Sequence, residues 1–253
     1  ECVCPRAPKT KWEPPFLASL LKNAEKENLQ LKCFLNDIDP DVCKSLETKT
    51  RSFENFLLCP IQNQDANNVY TKALELFPPS EWSIFYLDPC NHSQLDWTTI
   101  EGISQHTRAE RNEERKPELI INLMTNTMQR VVQSRPDSIS KALGSDHWKA
   151  LLPEYQERGD QIYKLFRDVF VERLQGLGYK TATVEIAQTL PHRSVLYYMI
   201  FATSLSSVES IHQRFEKDCK KYISDKWTKE NFTFNMMHKA KIRGYGSLES
   251  FFK

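Results

Sequence analysis

The sequence predicts an α/β protein with a doubly wound, mostly parallel sheet, antiparallel final strands and a helical insertion. Three observations point there. Apolar runs of strand length alternate with stripes of helical period from residue 32 onward. Two of the runs, 82–87 (WSIFYL) and 119–124 (LIINLM), are continuously apolar, as strands covered on both faces of a sheet should be. The last two, 180–189 (KTATVEIAQT) and 194–203 (SVLYYMIFAT), are separated by a short turn containing Pro191 and read as an antiparallel pair.

In chain order, Pro14 and Pro15 open a helix with Phe16, Leu17, Leu20, Leu21 and Ala24 at helical spacing. Residues 32–38 (KCFLNDI) form a strand, and Asp39-Pro40 supplies the cap and first-turn proline of a helix carrying Val42 and Leu46. Residues 55–61 (NFLLCPI) repeat the pattern, with Asp65 capping a helix whose stripe is Val69, Tyr70, Ala73, Leu74 and Phe77. The charged run 108–116 (RAERNEERK) reads as a solvated helix end or loop.

Residues 136–178 are helical: Asp146 caps a short helix with Trp148, Leu151 and Leu152. A second stripe holds Ile162, Leu165, Phe166, Val169, Phe170 and Leu174. A final helix carries Val208, Ile211, Phe215, Cys219 and Tyr222. The expected organisation is an α/β core over 1–135, the insertion over 136–178, closing strands and helix over 179–222, and a basic, aromatic tail over 223–253.

The 253 residues carry 34 Lys plus Arg against 33 Asp plus Glu, so the balance argues against a nucleic-acid coat protein and restricts any basic surface to a local patch. No stretch approaches the roughly 20 apolar residues a membrane helix needs, and no leader pattern stands at the start. A cytoplasmic protein is expected, with no membrane partner. The seven cysteines include no CxxC pair and suggest neither a metal site nor a disulfide framework; Cys33 and Cys59 read as core residues.

In sheets of this class, ligands sit beyond the strand carboxyl ends. Three such ends are acidic. Asp37 is placed to take ribose hydroxyls, and Asp65 with Ala66 to meet an adenine amino group, although Asp65 serves equally as a helix cap. Asp88-Pro89-Cys90-Asn91 ends the most apolar strand, where an acid bears a desolvation cost that a purely structural loop would avoid, although Asp-Pro equally starts a turn. His92 and Asp96 suggest acid/base chemistry, although His92 reads more simply as a lone surface histidine.

The ordered segments NDIDPDVCKSL, QDANNVYTKALELF, WSIFYLDPCNHSQLDWTTIEGI, PELIINLMTNTMQRVV, ALGSDHWKAL and SVLYYMIFATS resemble the three-Cys-motif partner family from about Pro5 to Cys219. The resemblance implies a Rossmann-like, class I methyltransferase-like fold, S-adenosylmethionine as cofactor and a three-Cys-motif protein as partner. Family members begin with an acid, aromatic-Ala-Gly-Pro-Gly loop around the methionine end of the cofactor. Here Cys4-Pro5-Arg6-Ala7-Pro8 stands in that place, and the first glycine is Gly102. Either that loop lies upstream of Glu1 or the fold has been kept without it.

Two functions follow as expectations. One is methylation of nucleic acid, Asp88 and its neighbours meeting an amino group taken out of its stack, with Cys90 as nucleophile in a cytosine-C5 variant. The other is a noncatalytic partner subunit. The tail Tyr245, Leu248, Phe251 and Phe252 resembles a sliding-clamp-binding peptide, and serves equally to cover the domain's own core.

Overall fold

The structure, a computed structural model, describes residues 24–28, 31–78, 81–110, 113–157, 161–188 and 194–205. The expected helix over 14–24 before Ala24, the final helix from Val208 and the tail with Tyr245, Leu248, Phe251 and Phe252 lie outside the described residues.

The chain is α/β. Helices α1 (Pro40–Thr50) and α2 (Ala66–Leu76) lead to strand β1 (Ile84–Leu87), then α3 (Trp97–Ser104), β2 (Arg108–Glu110), β3 (Glu113–Arg115) and β4 (Glu118–Leu123). Helices α4 (Thr125–Val131), α5 (Pro136–Leu143), α6 (His147–Glu157) and α7 (Ile162–Gly176) follow, and β5 (Lys180–Gln188) and β6 (Ser194–Thr203) close the sheet. Its order is β1-β4-β6-β5. β1 and β4 run parallel, whereas β6 is antiparallel to both β4 and β5.

This is a mixed sheet with one parallel pair, where the sequence predicts a mostly parallel one. The runs 32–38 and 55–61 do not become full strands. They meet at two isolated parallel bridges, Cys33 with Leu57 and Asn36 with Gln62, and a 3-10 turn, Arg51–Phe56, occupies the start of the second run. A few apolar residues bounded by Pro60 and polar amides give too short a ladder for a strand.

The charged run is also corrected. Arg108–Glu110 and Glu113–Arg115 pair as an antiparallel ribbon, Arg108 opposite Arg115. Its main chain makes a ladder although its side chains carry no apolar alternation, which is the only strand signal a sequence displays.

The core follows from strand alternation. Leu119, Ile121 and Leu123 of β4 face the same side as Ala202, Ile200 and Tyr198, their partners on β6. Helices α3 to α7 bury Ile100, Ile103, Met128, Ile139, Leu143, Leu165, Phe166 and Phe170 in that same core. Each such side chain contributes about 1.5–3 kcal/mol relative to exposure. Trp97 meets Phe170 edge-on at 5.3 Å, and Trp148 meets Phe166 at 5.6 Å.

Helix starts obey capping chemistry. Asp39 accepts from the Asp41 N–H at 2.8 Å and Asp65 from the Asn67 N–H at 2.8 Å. Asp146 does not cap α6: its Oδ1 takes the Ser140 hydroxyl and Lys149, while Ser145 Oγ accepts the His147 N–H at 3.0 Å. Cys33 is buried as expected, and Cys59 is half-buried.

Candidate functional site

The parallel pair sets the site. Because β1 and β4 run in the same direction with Leu87 opposite Ile121, their carboxyl ends share one edge, and Asp88-Pro89 and Asn122 arrive there together. Asn122 Nδ2 donates to Asp88 Oδ1 at 2.6 Å and to the Tyr86 hydroxyl at 3.1 Å, and that hydroxyl reaches Asp88 Oδ2 at 3.4 Å. The Asn122 side chain is 96% buried, at 4% exposure, and its Oδ1 has no partner among the described residues. Burial, reinforced by the Asp88 charge, pushes the Tyr86 phenol up to about 12. The phenol therefore stays protonated at neutral pH. Asp88 itself is exposed and offers its carboxylate outward, with one oxygen fixed by an amide.

After Pro89 the chain turns back through a short 3-10 segment, His92–Gln94. Gln94 Oε1 accepts from the N–H of Cys90 at 2.7 Å and of Asn91 at 3.2 Å, and Asn91 Oδ1 accepts from the Ser93 N–H at 2.9 Å. Asn91 thus caps a turn. Cys90 is exposed, its backbone held by Gln94.

His92 corrects the surface reading. It is 8% exposed, with Nδ1 3.1 Å from Thr127 Oγ1 and Nε2 2.9 Å from Ser138 Oγ, so it ties the turn to α4 and α5. Burial, and then the nearby Arg135 charge, lowers its pKa below 6.5. Pro89, His92, Asn122, Met124 and Met128 border a small cleft with room for about one water.

The other two acidic ends join this edge through amide side chains. Asp37 receives the Asp39 N–H on Oδ1 at 2.8 Å, and its own N–H donates to Gln62 O at 3.1 Å. Asn36 and Gln64 exchange two bonds, Nδ2 to Gln64 O at 3.0 Å and Gln64 N–H to Oδ1 at 3.2 Å, which sets the end of one segment beside the other. Asn63 Nδ2 clamps the Asp37 and Ile38 carbonyls at 3.0 and 2.9 Å.

Asn67 is the link that no sequence pattern announced. Its Nδ2 donates to Asp65 Oδ1 at 3.0 Å and to Gln94 O at 3.2 Å, and its Oδ1 accepts the Asp96 N–H and the Thr99 hydroxyl, each at 2.8 Å. Asp65 is thereby connected to the turn that follows Asp88. Asp96 is held by Lys141 at 2.9 Å. Asp37, Asp65 and Ala66 thus lie on segments joined by hydrogen bonds to the Asp88–Asn91 turn.

For a nucleoside-bearing cofactor the donors and acceptors are of a suitable kind. Asp37 and Asp65 each use Oδ1 for the local turn or cap and keep Oδ2 as an acceptor for ribose hydroxyls or an amino group. The methionine end is a different matter. Gly102, Gly144, Gly176 and Gly178, the glycines among the described residues, lie in helices or just after them and none follows a strand. Among the described residues no cluster of His, Cys, Asp and Glu has the arrangement of a metal site, and no helix is long and apolar enough to cross a membrane. No family model, curated protein or solved structure matches the chain.

Proposed function

We propose that the chain is an S-adenosylmethionine-dependent, methyltransferase-like protein of doubly wound type that acts on nucleic acid. The observation that carries this reading is the Asp88 carboxylate, presented at the shared carboxyl end of two parallel strands and aligned by Asn122 and Tyr86. That is where open α/β sheets bind ligands.

An exocyclic amino group is a weak nucleophile because its lone pair is delocalised into the ring. A carboxylate accepting one of its N–H bonds localises that pair and fixes its direction. Asn122 keeps the carboxylate in one rotamer, and the protonated Tyr86 phenol adds a second polar contact without adding charge. Asp37 and Asp65 would take the ribose and adenine of the cofactor, which when bound supplies the activated methyl group. The exposed Cys90 follows Pro89 and is the thiol that a cytosine-C5 route would use as nucleophile; the alignment of the Asp88 carboxylate by Asn122 favours amino-nitrogen methylation.

Transfer of labelled methyl from S-adenosylmethionine to single-stranded DNA and RNA tests the reading. Transfer that disappears in Asp88→Ala, with the far-ultraviolet spectrum unchanged, supports it; transfer retained by that variant removes Asp88 from the chemistry.

A second reading, a noncatalytic partner subunit that keeps this fold, is favoured by one specific observation: no described strand is followed by a glycine turn. By resemblance its partner would be a three-Cys-motif protein, with the tail residues Tyr245, Leu248, Phe251 and Phe252 offered to a sliding clamp. It predicts co-purification with such a partner and no binding of S-adenosylmethionine.

A further inference from the structure

Phe85 and Leu87 of β1 turn inward and pack against the core. Trp82, Ile84 and Tyr86, at period two, turn the other way and are 57%, 50% and 46% exposed. The two rings are held rather than loosely hung. Tyr86 is anchored through its hydroxyl to Asn122 and Asp88, and the Trp82 indole lies against the buried Glu118 carboxyl. Each ring is thus fixed by an edge while about half of its side chain stays in solvent.

The two ends of this stripe differ in charge. At the Trp82 end, Arg108, Arg115 and Lys116 border a small cleft whose own acid is Glu81. Arg108 stands directly opposite Arg115 on the β2–β3 ribbon, and like charges so placed repel. Lys116 Nζ bonds to the Ser104 carbonyl at 3.1 Å and adds a third cation. Even with Glu81 and the buried Glu118 both ionised, these cations outnumber the acids beside them. The ribbon's other acids stand apart: Glu114 falls on the opposite face, and Glu110 pairs with Glu113 two residues farther along. Asp88 marks the other end, about 20 Å from Trp82 along an extended chain.

This order of groups selects a ligand with anions at one end, flat rings along its length and neutral hydrogen-bond donors at the other. An acidic peptide or an anionic membrane surface would set its charges against Asp88 as well. A single nucleic-acid strand has phosphates for the cations, a π-face on every base for the rings, and exocyclic amino groups for the carboxylate. A duplex keeps those faces inside its own stack.

We propose that the outer face of β1 is the track along which a single nucleic-acid strand reaches Asp88, its bases stacked on Tyr86 and Trp82 and its phosphates held by Arg108, Arg115 and Lys116. The inference deepens the nucleic-acid reading above and rests on it. At ~3.4 Å per stacked nucleotide, the ~20 Å from Trp82 to Asp88 gives a footprint of about six nucleotides. Tyr86 then serves twice, aligning the carboxylate through its hydroxyl and carrying the target base on its ring.

The test uses the full chain and a labelled adenine- and cytosine-containing strand of about 12 nucleotides, followed by fluorescence anisotropy without S-adenosylmethionine. Saturable binding is expected, at least about fivefold weaker for Trp82→Ala and within about twofold of the parent for Trp82→Phe, which keeps a ring. Arg108→Gln should reduce the slope of log affinity against log salt by about 0.7, whereas Lys149→Gln, on the helical side of the core, should leave it unchanged. Melting temperatures check that each variant folds. No binding by the parent overturns the proposal, as does equal binding of Trp82→Ala or of the same sequence as a duplex. Competition by polyglutamate as effective as by unlabelled strand also overturns it, by reducing the site to a generic cationic surface. Binding without methyl transfer upholds the track and tells against the reading on which it rests. Methyl transfer at subsaturating strand that is unaffected by Trp82→Ala upholds that reading and overturns the track.

Discussion

Gly144 ends α5 in the left-handed region, at φ 66°, and its N–H returns to the Ser140 carbonyl. An added Cβ there would lie 2.1 Å from Cγ and 2.2 Å from Cδ1 of Trp97. The indole has nowhere to go: it is 2% exposed, meets Phe170 edge-on at 5.3 Å, and carries the Arg173 guanidinium 4.9 Å from its ring centre. Gly144→Ala therefore combines the left-handed penalty, about 1–2 kcal/mol, with overpacking of a closed core, about 1–3 kcal/mol. The expected loss is about 2–5 kcal/mol in urea denaturation, read as a lower midpoint at unchanged slope. Gly176→Ala is the internal control. It meets nothing within 4 Å and lies in the last turn of α7, so it should be neutral or raise stability by up to about 1 kcal/mol. A loss under about 0.5 kcal/mol for Gly144→Ala would refute the packing described around Trp97.

Three further outcomes follow from the titratable groups and the site. His92 has a folded pKa below 6.5, so the unfolded chain binds the extra proton between the two values and stability rises with pH up to about that point. His92→Gln should flatten this part of a stability profile, and an unchanged slope would show the histidine is not the group responsible. Glu118 is the opposite case: burial holds its pKa above 4.5 despite a 2.7 Å bond from the Thr203 hydroxyl, so stability falls as pH rises from 4.5 through the folded value. Glu118→Gln should accordingly be relatively more stable near neutral pH than near pH 4.5, as denaturation at the two values would show. Finally, Asn122→Leu leaves Asp88 exposed but without its 2.6 Å bond, and should lower methyl transfer about tenfold or more while Asp88→Ala abolishes it; equal activity of Asn122→Leu and the parent would mean that carboxylate orientation is unimportant.

The strands at 84–87, 118–123, 180–188 and 194–203 were legible because apolar runs of that length have few other homes, and the capped helices at Asp39 and Asp65 because a carboxylate before a helical stripe satisfies its first N–H groups. The ribbon at 108–115 was not, since it alternates charges rather than apolar residues. Nor was the weakness of the pairing between the runs 32–38 and 55–61, which depends on neighbours that no local pattern encodes.

At the site, the three acidic ends could be read from strand-to-helix junctions, whereas the amides that join them could not. Asn67, Gln94 and Asn122 lie in an ordinary helix turn, a short 3-10 segment and a strand, and their importance arises only when the fold brings residues 27 to 34 positions apart into hydrogen-bonding range. His92 illustrates the converse. Its neighbours in sequence are polar, yet Thr127 and Ser138 enclose it from helices more than 30 positions away.

The most direct measurement is calorimetric titration of S-adenosylmethionine into this chain and into Asp37→Ala. Saturable binding by the parent, weakened at least about tenfold in the variant, is the result predicted by a cofactor pocket beside Asp37. Absence of binding by a correctly folded parent would contradict it and leave the partner-subunit reading in its place.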